Sequence, residues 1–240
     1  MQLHIYKDES KLTESVADWI VENIRLTLKQ KDKFTIALSG GNTPKKLFSL
    51  LASEAYRNKI DWNRMHIFWG DERAVPFDDE RNNAKVAFEV LLDKVPLVLS
   101  QVHRMETSFP EKSALAYENL LHTYFDGNEN SFDLVMLGIG EDGHTLSVFP
   151  GSPLLNDHHS WVSAVFVPDQ EMWRITLTPL IVNKSTQIIF LVSGPSKSGI
   201  LHKILEPGSA YPASLIKPLC GDLHWFVDEA AASELNVLRG

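Results

Sequence analysis

The side chains best suited to chemistry fall in three short segments. Ser39-Gly40-Gly41-Asn42-Thr43-Pro44 combines two glycines with three hydrogen-bonding side chains. Glycine lets a backbone turn tightly and approach a ligand with no Cβ in between. A helix beginning around Pro44 would turn its first N–H groups and positive dipole end toward Ser39, Gly40, Gly41, Asn42 and Thr43, which favours an anion there. The Gly-Lys-Ser/Thr ending of a Walker A loop is absent. Gly70-Asp71-Glu72-Arg73-Ala74-Val75-Pro76 supplies two acids and an arginine whose planar guanidinium suits bidentate grip of a phosphate. An isolated Asp-Glu-Arg run is usually a solvated ion pair, so its weight comes from its place beside the Gly-Gly segment.

Leu137-Gly138-Ile139-Gly140-Glu141-Asp142-Gly143-His144-Thr145 is the most informative segment. In an extended chain, residues two apart share a face, which predicts Asp142 and His144 in one pocket. An imidazole titrating near neutral pH can take a proton from water and return it to a leaving oxygen. Asp142 or Asp71 would hold its tautomer, and N–H groups of residues 138–145 would face a developing oxyanion. The run also matches G-x-G-x-x-G. A dinucleotide site is opposed by its mid-chain position, by Phe149-Pro150-Gly151 stopping any helix early, and by the lack of a following strand with a terminal acid. Arg174 in Trp173-Arg174-Ile175-Thr176-Leu177, and Lys197 in Ser193-Gly194-Pro195-Ser196-Lys197, are further cations for a phosphate. His158-His159 lacks a third metal ligand and reads as surface. There is no G-x-S-x-G elbow of a serine hydrolase.

Short β-type runs alternate with longer helical patterns along the 240 residues, which predicts an α/β fold with a mostly parallel sheet. Strands are expected at 3–6, 34–38, 65–69, 132–137, 161–167, 174–177 and 188–192. Helical spacing of Leu12, Val16, Trp19, Ile20 and Ile24 predicts a helix capped by Ser10. Further helices are expected after Pro44, near 84–92, and over 114–125, 196–205 and 228–238, with 70–80 a polar loop. No composition shift marks a boundary, so 1–240 is read as one domain. The three segments then follow strands, and in open α/β sheets ligands bind beyond the carboxyl ends of strands.

Composition narrows the function. A net charge of −8 opposes a nucleic-acid or anionic-membrane partner, since both need a broad basic face. A phosphate needs only a few local cations. The longest apolar run, 188–192, is far short of the roughly 20 residues that cross a bilayer. The single cysteine, Cys220, excludes an internal disulfide framework. Met1-Gln2-Leu3-His4 does not read as a secretory signal, and a cytoplasmic address is expected.

Ser39-Gly40-Gly41-Asn42-Thr43-Pro44, Asp71-Glu72-Arg73, Gly138 to Thr145 with Phe149-Pro150-Gly151, and Arg174-Ile175-Thr176 together resemble the 6-phosphogluconolactonase family in order and spacing. Trp225-Phe226-Val227-Asp228 with Ala230-Ala231 extends the resemblance to nearly the whole chain. It implies a three-layer αβα sandwich related to glucosamine-6-phosphate deaminase and, more distantly, ribose-5-phosphate isomerase. It also implies hydrolysis of 6-phospho-D-glucono-1,5-lactone to 6-phosphogluconate in the oxidative pentose phosphate pathway, with no metal or organic cofactor. His144 matches the catalytic histidine, the Gly-Gly segment the phosphate-binding backbone, and Arg73, Arg174 and Lys197 phosphate contacts. The family's frequent Ser-Asn-Tyr appears here as Arg81-Asn82-Asn83, where only Asn82 matches. The deaminase shares Asp71-Glu72 and Asp142-Gly143-His144. It differs in placing a tyrosine and a glutamate where this chain has Arg73 and Phe149. A non-catalytic sugar-phosphate sensor would not need the Asp142/His144 pair. The expected partner is a small phosphorylated sugar lactone, with the chain a monomer or weak homo-oligomer.

Overall fold

A computed structural model describes residues 1–235. These form nine strands: β1 (Gln2–Tyr6), β2 (Phe34–Leu38), β3 (Met65–Trp69), β4 (Asp71–Arg73), β5 (Leu134–Leu137), β6 (Val162–Val167), β7 (Met172–Leu177), β8 (Gln187–Val192) and β9 (Asp222–Asp228). The α-helices are α1 (Glu9–Thr27), α2 (Asn42–Leu51), α3 (Asn83–Val90), α4 (Pro110–Phe125), the single turn α5 (Pro179–Val182) and α6 (Ser198–Leu205).

Six strands form a wholly parallel sheet in the order β1-β9-β8-β5-β2-β3. Side chains alternate across a strand, so each strand feeds two cores. Ile36, Leu38, Leu134, Met136, Ile189 and Leu191 pack with the buried stripe of α1 (Leu12, Val16, Ile20, Ile24) and with α2 and α3. Ala37, Val135, Leu137, Ile188, Phe190 and Val192 face the other way, toward α4, α6 and the second sheet. Burial on both faces explains why these strands read as continuous apolar runs. This is the αβα sandwich that the resemblance implies.

Several local expectations are corrected. Asp8, not Ser10, caps α1, accepting the Lys11 N–H at 2.8 Å. The helix therefore starts early enough to place Glu9 at its positive end. Within the expected polar loop 70–80, β4 pairs antiparallel with β7, and β7 with β6, in a three-stranded sheet. The leading acids and arginine carry no apolar strand signal, so pairing supplied from β7 decides their conformation. β9 was not expected, yet it lies between β1 and β8. Its terminal Asp228 accepts the Ser193 hydroxyl at 2.7 Å and the N–H groups of Gly194 and Ala231 at 3.0 and 2.8 Å. That carboxylate folds residues 229–235 into turns rather than the expected helix; 236–238 lie outside the described residues. No helix among the described residues is long and apolar enough to cross a membrane.

Candidate active site

β5, β2 and β3 are adjacent in the sheet, so the segments that follow them converge at one edge. There they meet the small sheet, tied on by Gly70 N–H to Leu38 O and Leu177 N–H to Gly70 O, both 2.8 Å. A cleft of about 230 Å³ opens at this junction, lined by Ser39, Gly40, Asp71, Arg73, His144 and Arg174 among others. Strand alternation explains the selection. Asp71 and Arg73 share one face of β4, and register places Thr176 and Arg174 of β7 opposite them.

Arg73 and Arg174 are thus cross-strand neighbours with like charge. Arg73 Nη1 donates to the Arg81 carbonyl at 2.6 Å, and Arg174 Nη2 donates to the Gln170 side-chain oxygen. Neither forms an ion pair among the described residues, and the Nε of each is buried without a partner. Arg174 is only 7% exposed. Burial, then the charge of Arg73, draws its pKa below the usual arginine value, although it remains a cation. Asp71 and Glu72 offset part of this charge, and an anion between the two like-charged guanidiniums would offset more of it. That arrangement favours an anion over a cation in the cleft.

Across the cleft, His144 Nδ1 lies 2.6 Å from Asp142 Oδ1, which also accepts the His144 backbone N–H at 3.1 Å. An ionised carboxylate only accepts, so Nδ1 carries a proton, and in the neutral imidazole the free lone pair is on Nε2. Burial pushes the Asp142 carboxyl up, but its bonds from the His144 N–H and imidazole outweigh this and hold it below the ordinary range. Phe149 packs on the imidazole with ring centroids 4.2 Å apart. The pairing does not come from the extended chain expected. Residues 141–143 form a turn, with Gly143 at φ +83°, closed by Gly143 N–H to Gly140 O at 3.1 Å. Ala213 N–H donates to Gly143 O at 3.2 Å and braces that turn from behind. The N–H groups of Gly140, Gly143 and His144 all bond within the loop, so these three are not free for an oxyanion.

Asp142 therefore contacts His144, and Asp71 does not. Asp71 instead accepts the buried Ser147 hydroxyl at 2.6 Å. Asn83 Nδ2 donates to the Asp71 carbonyl at 3.0 Å, and a Cβ on Gly40 would collide with the Asn83 side chain. Glycine at 40 thus lets the segment after β2 approach the first residue of α3.

Glu72, 1% exposed, points to the opposite face from Asp71 and Arg73. Its carboxylate accepts the N–H groups of Arg73, Asn83 and Ala84 at 2.7–2.8 Å, clasping both ends of the loop that carries Arg73. Burial nonetheless pushes its pKa up to about 7. A folded-state pKa above the unfolded value stabilises the fold fully below the unfolded pKa and loses that contribution as pH rises through about 7. Between about pH 4.5 and 8, Glu72→Gln should therefore gain on wild type by on the order of 3 kcal/mol. Urea unfolding of both proteins across that window measures it; a constant gap would show that Glu72 does not titrate there.

Not every expected residue reaches the cleft. Gly41 caps α2 without a side-chain bond and is exposed, as is Asn42; Thr43 is partly buried, and none of the three lines the cleft. Lys197 ends a short 3-10 turn, Pro195–Lys197, ahead of α6 and also does not line it. Sequence reasoning missed Asn83, Ser147 and Gln170 as cleft residues. Asn83 follows the matched Asn82, but nothing local marks Gln170. No three His, Cys, Asp or Glu side chains converge in metal-binding geometry among the described residues.

Residues 7–225 match the family of glucosamine-6-phosphate isomerases and 6-phosphogluconolactonase. The chain belongs to this family. It is 36% identical over 243 residues to the 6-phosphogluconolactonase of Synechocystis sp. (strain ATCC 27184 / PCC 6803 / Kazusa), covering 98% of each chain. Among solved structures, the 6-phosphogluconolactonase of Thermotoga maritima superposes with TM-score 0.83 at 31% identity, over 95% of this chain and 99% of that one. A monomeric glucosamine-6-phosphate deaminase shares the fold, with TM-score 0.81 at 19% identity, over 98% of this chain and 100% of that one. Phe149, one of the positions at which the sequence resemblance sets this chain apart from the deaminase, contacts His144.

Proposed function

We propose that the chain is a 6-phosphogluconolactonase, hydrolysing 6-phospho-D-glucono-1,5-lactone to 6-phosphogluconate in the oxidative pentose phosphate pathway. The observation that carries this reading is one cleft lined by both an arginine pair without an ion-pair partner among the described residues and an imidazole polarised by Asp142. Phosphate docks on Arg73 and Arg174, with Ser39 and the Gly40 backbone beside it. Binding energy at this remote group orients the lactone carbonyl toward His144 Nε2. Nε2 removes a proton as water attacks C1, and Asp142 stabilises the imidazolium that forms. The tetrahedral intermediate collapses with cleavage of the bond from C1 to the ring oxygen. The imidazolium returns its proton to that oxygen, and the new carboxylic acid ionises. Arg73 and the apolar Phe149 favour this reaction over the deaminase's, which calls for an acid beside the histidine. The shared apolar core that joins α4, α6 and the small sheet to the parallel sheet supports one domain, and an acidic chain with one exposed thiol fits the cytoplasm.

Acid release from freshly generated 6-phosphogluconolactone should be accelerated well above the spontaneous rate, and the acceleration should survive EDTA. A pH indicator with a no-protein blank follows it. If folded protein gives no acceleration but binds 6-phosphogluconate, the catalytic reading fails and the sensor takes its place.

A further inference from the structure

The tip of the β6–β7 hairpin reads Asp169-Gln170-Glu171, two acids around one amide. It is shaped by a 3-10 turn, Pro168–Gln170, and by Glu171 in the left-handed region at φ +47°. A left-handed backbone is unfavourable for glutamate, so the turn is held by its context. Gln170 lines the cleft, and its side-chain oxygen accepts from Arg174 Nη2. Neither flanking acid forms an ion pair among the described residues. The neutral member of an acidic tip is therefore the one that meets the buried guanidinium.

An amide and a carboxylate at this place have different consequences. The amide oxygen satisfies one N–H of Arg174 and fixes its plane, while leaving the positive charge uncancelled. A carboxylate would form a charge-assisted pair with Arg174 and occupy the donors that a phosphate needs. We propose that Gln170 is a specificity-determining residue: it positions Arg174 for the phosphate and, by staying neutral, reserves the charge of the arginine pair for a dianionic ligand. The hairpin tip thereby sets the preference for phosphorylated over unphosphorylated lactones. This rests on the lactonase reading, but its phosphate-binding half is measurable without turnover.

Gln170 is exposed, so its substitution leaves the core intact. Calorimetry with inorganic phosphate near pH 8 and kinetics on 6-phosphogluconolactone and glucono-1,5-lactone compare wild type, Gln170→Glu and Gln170→Ala. Gln170→Glu should weaken phosphate binding and raise KM for the phosphorylated lactone by about tenfold or more. Its kcat should stay within about twofold, and its discrimination against the unphosphorylated lactone should shrink. Gln170→Ala keeps the charge and loses only the hold, so its KM should rise by about two- to fivefold. Phosphate affinity unchanged in Gln170→Glu, or equal loss in both variants, overturns the role of neutrality. Absence of lactonase activity in wild type would instead sink the functional reading, while phosphate affinities would still decide the role of Gln170.

Discussion

Replacing His144 by alanine should lower kcat by about 10²–10⁴-fold while leaving KM for the phosphorylated lactone near its wild-type value. The split follows from the cleft's two halves. In the proposed mechanism phosphate is gripped by Arg73 and Arg174 on the small sheet, whereas His144 stands on the loop after β5. Removing the imidazole would delete the proposed proton carrier and leave both arginines in place. The side chain is partly exposed at 29%, so its loss creates little cavity and should cost little stability. Initial rates corrected for spontaneous hydrolysis, beside a thermal melt, check both halves. Turnover close to wild type would remove His144 from the mechanism.

Gly140→Ala should also lower kcat strongly, although it removes no reacting group. A Cβ at residue 140 would sit under 3.0 Å from both His144 Nδ1 and Asp142 Oδ1. Gly140 is not among the glycines with positive φ, so its backbone accepts alanine and the conflict falls on the dyad. The imidazole is confined by Asp142 on one side and Phe149 on the other, leaving it to tilt or to break its bond to Asp142. A displacement near 1 Å at a catalytic group costs on the order of 10²-fold. The expected result is kcat reduced by about that factor, with the melting temperature within a few degrees of wild type. Wild-type kcat in Gly140→Ala would mean that the pairing seen with Asp142 is not needed for turnover.

The parallel sheet was legible because a strand buried on both faces must be apolar at nearly every position. Residues 188–192 are apolar throughout, and 34–38 and 65–69 depart from that by one residue each, Thr35 and His66. β9 was not read as a strand although its run Leu223-His224-Trp225-Phe226-Val227 carries a single histidine just as 65–69 does; its place is set by pairing between β1 and β8, where His224 finds partners in His4 and Gln187. β4 escaped for a stronger reason. Asp71-Glu72-Arg73 has no strand propensity of its own, and Glu72 can be buried only because three N–H groups converge on its carboxylate.

The sequence alone determined the chemistry available: an imidazole, its acids, arginines and glycines at the ends of strands whose apolar runs specify an α/β fold. These follow from residue type and local spacing, which a linear chain displays. Tertiary structure decided which groups work together. Asp142 rather than Asp71 meets His144 because a turn, not an extended strand, carries the pair. Arg174 rather than Lys197 joins Arg73 because the register of β4 on β7 puts them opposite one another. Gln170 enters the cleft because a hairpin turn folds it back over Arg174. Each of these choices depends on contacts between segments far apart in sequence, where no local spacing carries the information.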